Sequence, residues 1–291
     1  MLTWQLWRAL THPPRHNPLF ERILHSGLNH RNRFLRTLQV AAVYVCACVL
    51  ISLIWPLWMI NAGLVTVLMA AAGNTIHSMV WASTISSAIA RERDQDTYDL
   101  LCMLPTGALG AGWTLSTAHL HRSPIFRALR IVVHNLAMAI VGAFLTTMLI
   151  PALMILAPGS PAVWGLFLLL VYGVTLAAAA YLDYIQSLTL ASLIGMIVPS
   201  YALDRINAQL WSTAGFLLIR LTLYLAALIA GFIIVPELLN GFGPQNPAVQ
   251  ISLPLLRLAI FYGLHEAAIA WAWHILKQQF SAHPSDLEKI L

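Results

Sequence analysis

The chain of 291 residues is 59% hydrophobic and only 9% charged, with a formal net charge of +5, whereas a soluble domain is about 25% charged. That shortfall, with a mean hydropathy of +0.75, excludes a water-soluble globule, a collagen-like chain and a disordered polymer. It leaves an all-α polytopic membrane protein, and the length accommodates about six spans of ~20 residues with modest loops.

The first segment, residues 1–37, is basic and amphipathic. Arg8, Arg15, Arg22, Arg31, Arg33 and Arg36 stand against one acid, Glu21. Trp4, Trp7 and Leu10 recur at helical spacing, Pro13 and Pro14 break the chain, and Phe20, Ile23, Leu24 and Leu28 form a second stripe. Such a segment is expected to lie on the cytoplasmic leaflet and lead into the first span. No apolar core of signal-peptide type follows the initiator, so no cleaved leader is expected. A basic flank beside a membrane span marks the cytoplasmic side, so no nucleic-acid partner is expected.

Residues 38–276 then read as six spans. The first runs from Leu38 to Met59, and Asn61 with Gly63 suggests a tight turn into the second, from Ala62 to Ala90. A polar connection, Arg91 to Arg130, precedes the third span, Ile131 to Ala157, which Pro158-Gly159-Ser160-Pro161 ends. From Ala162 to Ser200 the apolar character hardly lapses. A helix of that length would reach ~58 Å, nearly twice the hydrocarbon thickness, so one long or broken span with its inner part buried in protein is expected. The fifth and sixth spans cover Leu210 to Val235 and Leu255 to Leu276, and residues 277–291 form a tail.

Lysine and arginine orient these spans. The connections at Asn61, at Pro158 to Pro161 and from Pro236 to Pro254 contain neither residue. The alternate connections hold Arg91, Arg93, Arg122, Arg127, Arg130, Arg205, Lys277 and Lys289. Both termini are therefore expected in the cytoplasm of a multi-pass cell-membrane protein.

The connection after the second span carries the functional signal. Asp96 and Asp99 resemble a capping start for a short helix. Leu100, Leu101 and Leu104 give it an apolar edge, and Pro105 with Gly107 ends it. Exposed apolar residues in such a place usually mark a docking surface, the alternative being that they dip into the lipid interface.

Residues Glu92-Arg93-Asp94-Gln95-Asp96-Thr97-Tyr98-Asp99-Leu100-Leu101-Cys102-Met103-Leu104-Pro105 resemble a pattern of type-2 ABC exporter permeases, E-[RK]-E-x-G-T-x-E-x-L-L-x-x-P. Asp94 and Asp99 replace two glutamates conservatively, and Pro105 lies one residue later than in the tightest form. Asp96, in place of the glycine, is the departure, because aspartate does not relax φ as glycine does. The resemblance implies that Glu92 to Pro105 form a coupling helix that docks on a separate ABC ATPase subunit. It implies a second permease subunit, and it implies that residues 1–37 are the connecting helix. ATP and Mg²⁺ would be held by the partner ATPase, in keeping with the absence of a G-x-x-x-x-G-K-[ST] motif here. No cofactor or catalytic residue is expected in this chain.

Two other classes are the alternatives. His77, His134, His265 and His274 fall within spans, as haem-b ligands of a membrane redox protein would. An intramembrane enzyme would need a nucleophile or paired carboxylates, and none stands out. Cys46, Cys48 and Cys102 form neither a disulfide framework nor a zinc pattern and read as small apolar fillers. Finally, Asp183, Arg220 and Glu266 are charges inside spans. Counting from the span ends puts Arg220 and Glu266 at similar depth, so they are expected to pair, with Asp183 as the competing partner of Arg220.

Overall fold

The computed structural model describes residues 1–12, 18–25, 55–103, 107–123, 126, 138, 142, 161–243 and 246–280, with no strand among them. In chain order the helices are α1 (Leu2–Thr11), α2 (Pro18–His25), α3 (Trp55–Asp94), α4 (Tyr98–Cys102), α5 (Gly107–Arg122), α6 (Pro161–Ile197), α7 (Arg205–Ile229), α8 (Val235–Leu239) and α9 (Pro247–Gln279). A π turn, Ala230–Ile234, joins α7 to α8. Val163–Ser200, Arg205–Phe242 and Pro247–Gln279 are long and apolar enough to cross a membrane. These are the expected fourth, fifth and sixth spans, and they are consistent with an all-α membrane protein.

The bundle is built from α3, α6, α7 and α9. Polar side chains set the register between α3 and α6. Asn74 Nδ2 donates to Asp183 Oδ2 at 3.0 Å, Ser187 Oγ to Ser78 Oγ at 2.7 Å, and Trp81 Nε1 to Ser192 Oγ at 3.1 Å. Both residue numbers rise together, so the two helices run parallel. One turn further, Gly195 brings the backbones into contact. A Cβ there would lie 2.9 Å from the Ala82 carbonyl oxygen and 2.9 Å from Ile85 Cβ. Helix α7 runs the other way along α3, with Ser86 Oγ donating to the Ala208 carbonyl at 2.8 Å and Thr75 Oγ1 3.5 Å from the Tyr224 hydroxyl. Helix α9 runs parallel to α6, tied by Gln186 Nε2 to the Tyr262 carbonyl at 3.2 Å and by Gln279 Nε2 to the Ile197 carbonyl at 3.3 Å. Arg91, Arg93, Arg205 and Lys277 consequently gather at one end of the bundle.

Several expectations are corrected. Asn61 and Gly63 make no turn, because α3 continues through them; an isolated asparagine or glycine costs a helix only about 1 kcal/mol or less and does not by itself stop it. The stretch from Ala162, in contrast, is as expected one long element, an unbroken helix to Ile197. Its first half is partly exposed, and residues 183–196 are buried, as its excess length required. The expected loop from Pro236 to Pro254 shrinks to residues 240–246, because Pro236 sits in the first turn of α8 and Pro254 is buried inside α9.

The connection from Arg91 to Arg130 is not a polar loop. Helix α5 fills much of it, and most of its side chains are buried. Its hydroxyls bond its own carbonyls, Thr114 to Gly110 at 2.8 Å and Thr117 to Trp113 at 3.0 Å. Small residues satisfied in this way enter a core despite a polar reading. The N-terminal segment also packs on protein. Leu6 and Leu10 of α1 and Leu19, Phe20 and Ile23 of α2 are buried in protein, in one cluster with Trp113, Leu120 and Leu188. These side chains therefore meet helices α5 and α6, while Trp4 of the first stripe is 39% exposed. Most of the first span (38–54), the third span apart from positions 138 and 142, Leu104, Pro105 and the tail from 281 lie outside the described residues.

Candidate functional site

At the basic end, α3 closes on a buried glutamate. Glu92 accepts the Thr97 hydroxyl on Oε2 at 2.7 Å, and its carbonyl accepts the Thr97 N–H at 3.1 Å. Between them Asp96 takes φ = 55°, a left-handed conformation that favours glycine. The Asp96 N–H donates to the Arg93 carbonyl at 3.0 Å, and the Arg93 guanidinium donates to the Pro199 carbonyl, fixing the turn to the end of α6. Arg91 lies 3.5 Å from the other Glu92 oxygen, with its side chain half exposed, a surface contact of little energetic weight.

Helix α4 follows, with Thr97 as its N-cap and no side-chain cap. The expected capping by Asp96 and Asp99 does not occur, since Asp96 is spent on the left-handed turn. The apolar edge is split. Leu100 is 66% exposed and Met103 81% exposed, whereas Tyr98 and Leu101 pack against the core. Burial pushes the Tyr98 hydroxyl pKa upward, with the neighbouring Cys102 thiol adding to it. Burial likewise raises the Cys102 thiol. Beside this turn an open cleft of about 530 Å³ is lined by Asp94, Asp204, Arg205, Ile206 and Gln209.

The second group lies in the middle of the bundle. Arg220 is 0% exposed and Asp183 3%, and the Arg220 guanidinium pairs with the Asp183 carboxylate. Arg220 NH2 also donates to the Tyr224 hydroxyl at 2.7 Å, and that hydroxyl donates to Asp183 Oδ1 at 3.0 Å. With Asn74 on Oδ2, the carboxylate joins α3, α6 and α7. The Arg220 Cζ lies 4.6 Å from the Tyr224 ring centroid, and the His265 ring of α9 lies 5.9 Å from the same ring. Arg220 Nε and NH1, His265 Nε2 and Gln186 Oε1 have no hydrogen-bond partner among the described residues.

The expected Arg220–Glu266 pair is therefore overturned in favour of Asp183. Position along a helix fixes depth but not azimuth. Glu266 points toward α1, where it accepts the Thr3 N–H at 3.3 Å and the Thr3 hydroxyl, and it also accepts the Tyr262 hydroxyl at 3.2 Å. Asn74, Tyr224 and Thr3 were missed. Tyr224 was legible, since it stands four residues after Arg220 and shares its helix face. His134 lies outside the described residues, and His274 bonds Gln278 at 3.0 Å. Among the described residues no group of three His, Cys, Asp or Glu side chains is assembled as a metal site.

No family model matches the chain, and neither a curated protein nor a solved structure does.

Proposed function

We propose that the chain is the membrane-spanning permease subunit of an ATP-driven transporter of the type-2 ABC class, an exporter. In this reading it works with a second permease subunit and a separate ATPase that carries ATP and Mg²⁺. The observation that carries the reading is the backbone at Asp96. The position that departs in residue type from the exporter pattern adopts the left-handed φ of 55° for which a glycine is suited. A turn of that conformation, closed by Glu92 and Thr97, leads directly into a helix whose Leu100 and Met103 are exposed. A short apolar knob on a rigid, hydrogen-bonded base suits a docking contact. The coupling set is thus Glu92, Arg93, Asp96, Thr97, Asp99, Leu100 and Leu101, with Leu104 and Pro105 following.

The gathering of Arg91, Arg93, Arg205 and Lys277 at one end supports a cytoplasmic location for that end and for both termini in the cell membrane. The buried Asp183–Arg220 pair then sits within the spanning part, where charges are retained for structural closure or for the transport route.

The test is co-purification from native membranes followed by mass spectrometry and an ATP hydrolysis assay. The intact chain is expected to bring down a protein with a Walker motif and hydrolytic activity. Leu100→Asp with Met103→Asp is expected to insert normally and to lose both. Retention of the ATPase by the double variant would remove the docking role of α4, and absence of any ATPase from the intact chain would remove the reading itself.

A further inference from the structure

A second arginine, Arg257, stands where α9 meets the π turn. In that turn the Val235 N–H donates to the Ala230 carbonyl, five residues back. The next donor in this register would be residue 236, aimed at the Gly231 carbonyl, but Pro236 has no N–H. The Gly231 carbonyl is thereby left to a side chain, and Arg257 Nε donates to it at 2.9 Å. The arginine stem packs directly on this glycine, since a Cβ there would lie 3.4 Å from Arg257 Cγ, an ordinary contact distance. The guanidinium lies over the Phe232 ring, with Cζ 4.1 Å from the centroid. Phe232, Ile233 and Ile234 all point outward. Two devices, a proline-freed carbonyl and an aromatic face, thus hold one cation at the outer surface of the bundle.

This cation has no carboxylate beside it among the described residues. Glu237, the nearest acid in sequence on the adjoining helix, bonds Asn240 instead, at 3.0 Å. Arg257 precedes Lys277 on the same helix by about 20 residues, the number that crosses the hydrocarbon layer. Lys277 marks the basic end, so Arg257 marks the opposite boundary, at headgroup depth. With Nε occupied, its two terminal nitrogens remain as a fork of the geometry that phosphate accepts.

We propose that Arg257 is a binding site for the phosphate of a phospholipid in the leaflet away from the basic end. The ligand is a lipid headgroup and not a free anion, because Phe232, Ile233, Leu255 and Leu256 surround the site with exposed apolar surface suited to acyl chains. The site does not depend on the transporter reading; it requires only that α9 crosses a membrane.

Native mass spectrometry of the full chain, titrated with phosphatidylglycerol, tests the site. Arg257→Gln keeps the polar stem, and it is expected to retain about fivefold less lipid than the unaltered chain, the scale of one arginine at a lipid surface. Arg257→Lys, which keeps the charge but not the anchored fork, is expected to fall between them. Diacylglycerol, with the same tails and no phosphate, is expected to bind both equally. Equal phosphatidylglycerol retention by Arg257→Gln and the unaltered chain would overturn the site. Displacement of the lipid by millimolar inorganic phosphate would overturn the lipid assignment, and full retention by Arg257→Lys would overturn the role of the held fork.

Discussion

Arg220 and Arg257 are both arginines in apolar helices, and the bundle treats them in opposite ways. Arg220 is wholly buried, and its charge is met by Asp183, with Tyr224 bridging the two. Arg257 is half-buried and receives a carbonyl and a ring face, with no carboxylate among the described residues. Depth accounts for the difference. Deep in the bundle an unpaired charge costs several kcal/mol, so a counter-charge must be built in. At the boundary the head reaches the interface, and only its direction needs fixing.

The largest effect expected from breaking this contrast is at Asp183. Asp183→Ala would leave the Arg220 charge uncompensated and is expected to cost about 3–5 kcal/mol, measured by unfolding in detergent titrated with SDS. Adding Arg220→Leu is expected to recover most of that loss, because an apolar pair replaces an ionic one at little cost. If the double variant is no more stable than Asp183→Ala alone, the pair is not what holds α6 to α7.

Gly195 sharpens the comparison, since the charge centre depends on the close approach of α3 and α6. Gly195→Ala would force a methyl against the Ala82 carbonyl and Ile85, at an expected cost of about 1–3 kcal/mol. It should also lengthen the Asn74–Asp183 contact about three turns away along α6, whereas lipid binding at Arg257 should not change. A stability equal to that of the unaltered chain would show that the two helices separate freely.

Thr3→Val comes next. It removes the hydroxyl that Glu266 accepts but keeps the N–H and the Tyr262 hydroxyl. The expected loss is about 1 kcal/mol, read as a lower midpoint of thermal unfolding with earlier protease access to α1. An unchanged protease pattern would mean that the Thr3 hydroxyl does not hold α1 to α9.

Fold class was legible from composition, because the hydrophobic excess admits few alternatives. The spans at α6, α7 and α9 were legible from their apolar runs. Helix α5 was not, since its small Gly110 and Ala111 give little apolar signal and Ser116 and Thr117 are polar, yet all four are buried. The N-terminal stripes were read correctly as apolar faces, but an amphipathic face does not say whether protein or lipid covers it. The charge centre was half legible. Sequence gives depth, which nominated Arg220, but the choice of Asp183 over Glu266 depends on helix rotation, to which depth counting is blind. The site at Arg257 is not legible in the sequence, because the proline that frees the Gly231 carbonyl is 21 residues from the arginine.

That separation gives the finest test of the contrast. Arg257→Ala leaves the Gly231 carbonyl without its donor, at an expected cost of about 1 kcal/mol at a half-exposed site. Pro236→Ala restores a backbone N–H in the register that points to Gly231, so alone it is expected to change stability by less than about 0.5 kcal/mol. In the Pro236→Ala background the carbonyl has its own donor, and Arg257→Ala should then cost almost nothing. The coupling in this double-mutant cycle is expected to be about 1 kcal/mol, measured from the midpoints of SDS-titrated unfolding. No such coupling is expected between Pro236 and Arg220, whose partner is a carboxylate that the backbone cannot replace. Additive costs at Pro236 and Arg257 would show that the arginine is held by Phe232 alone.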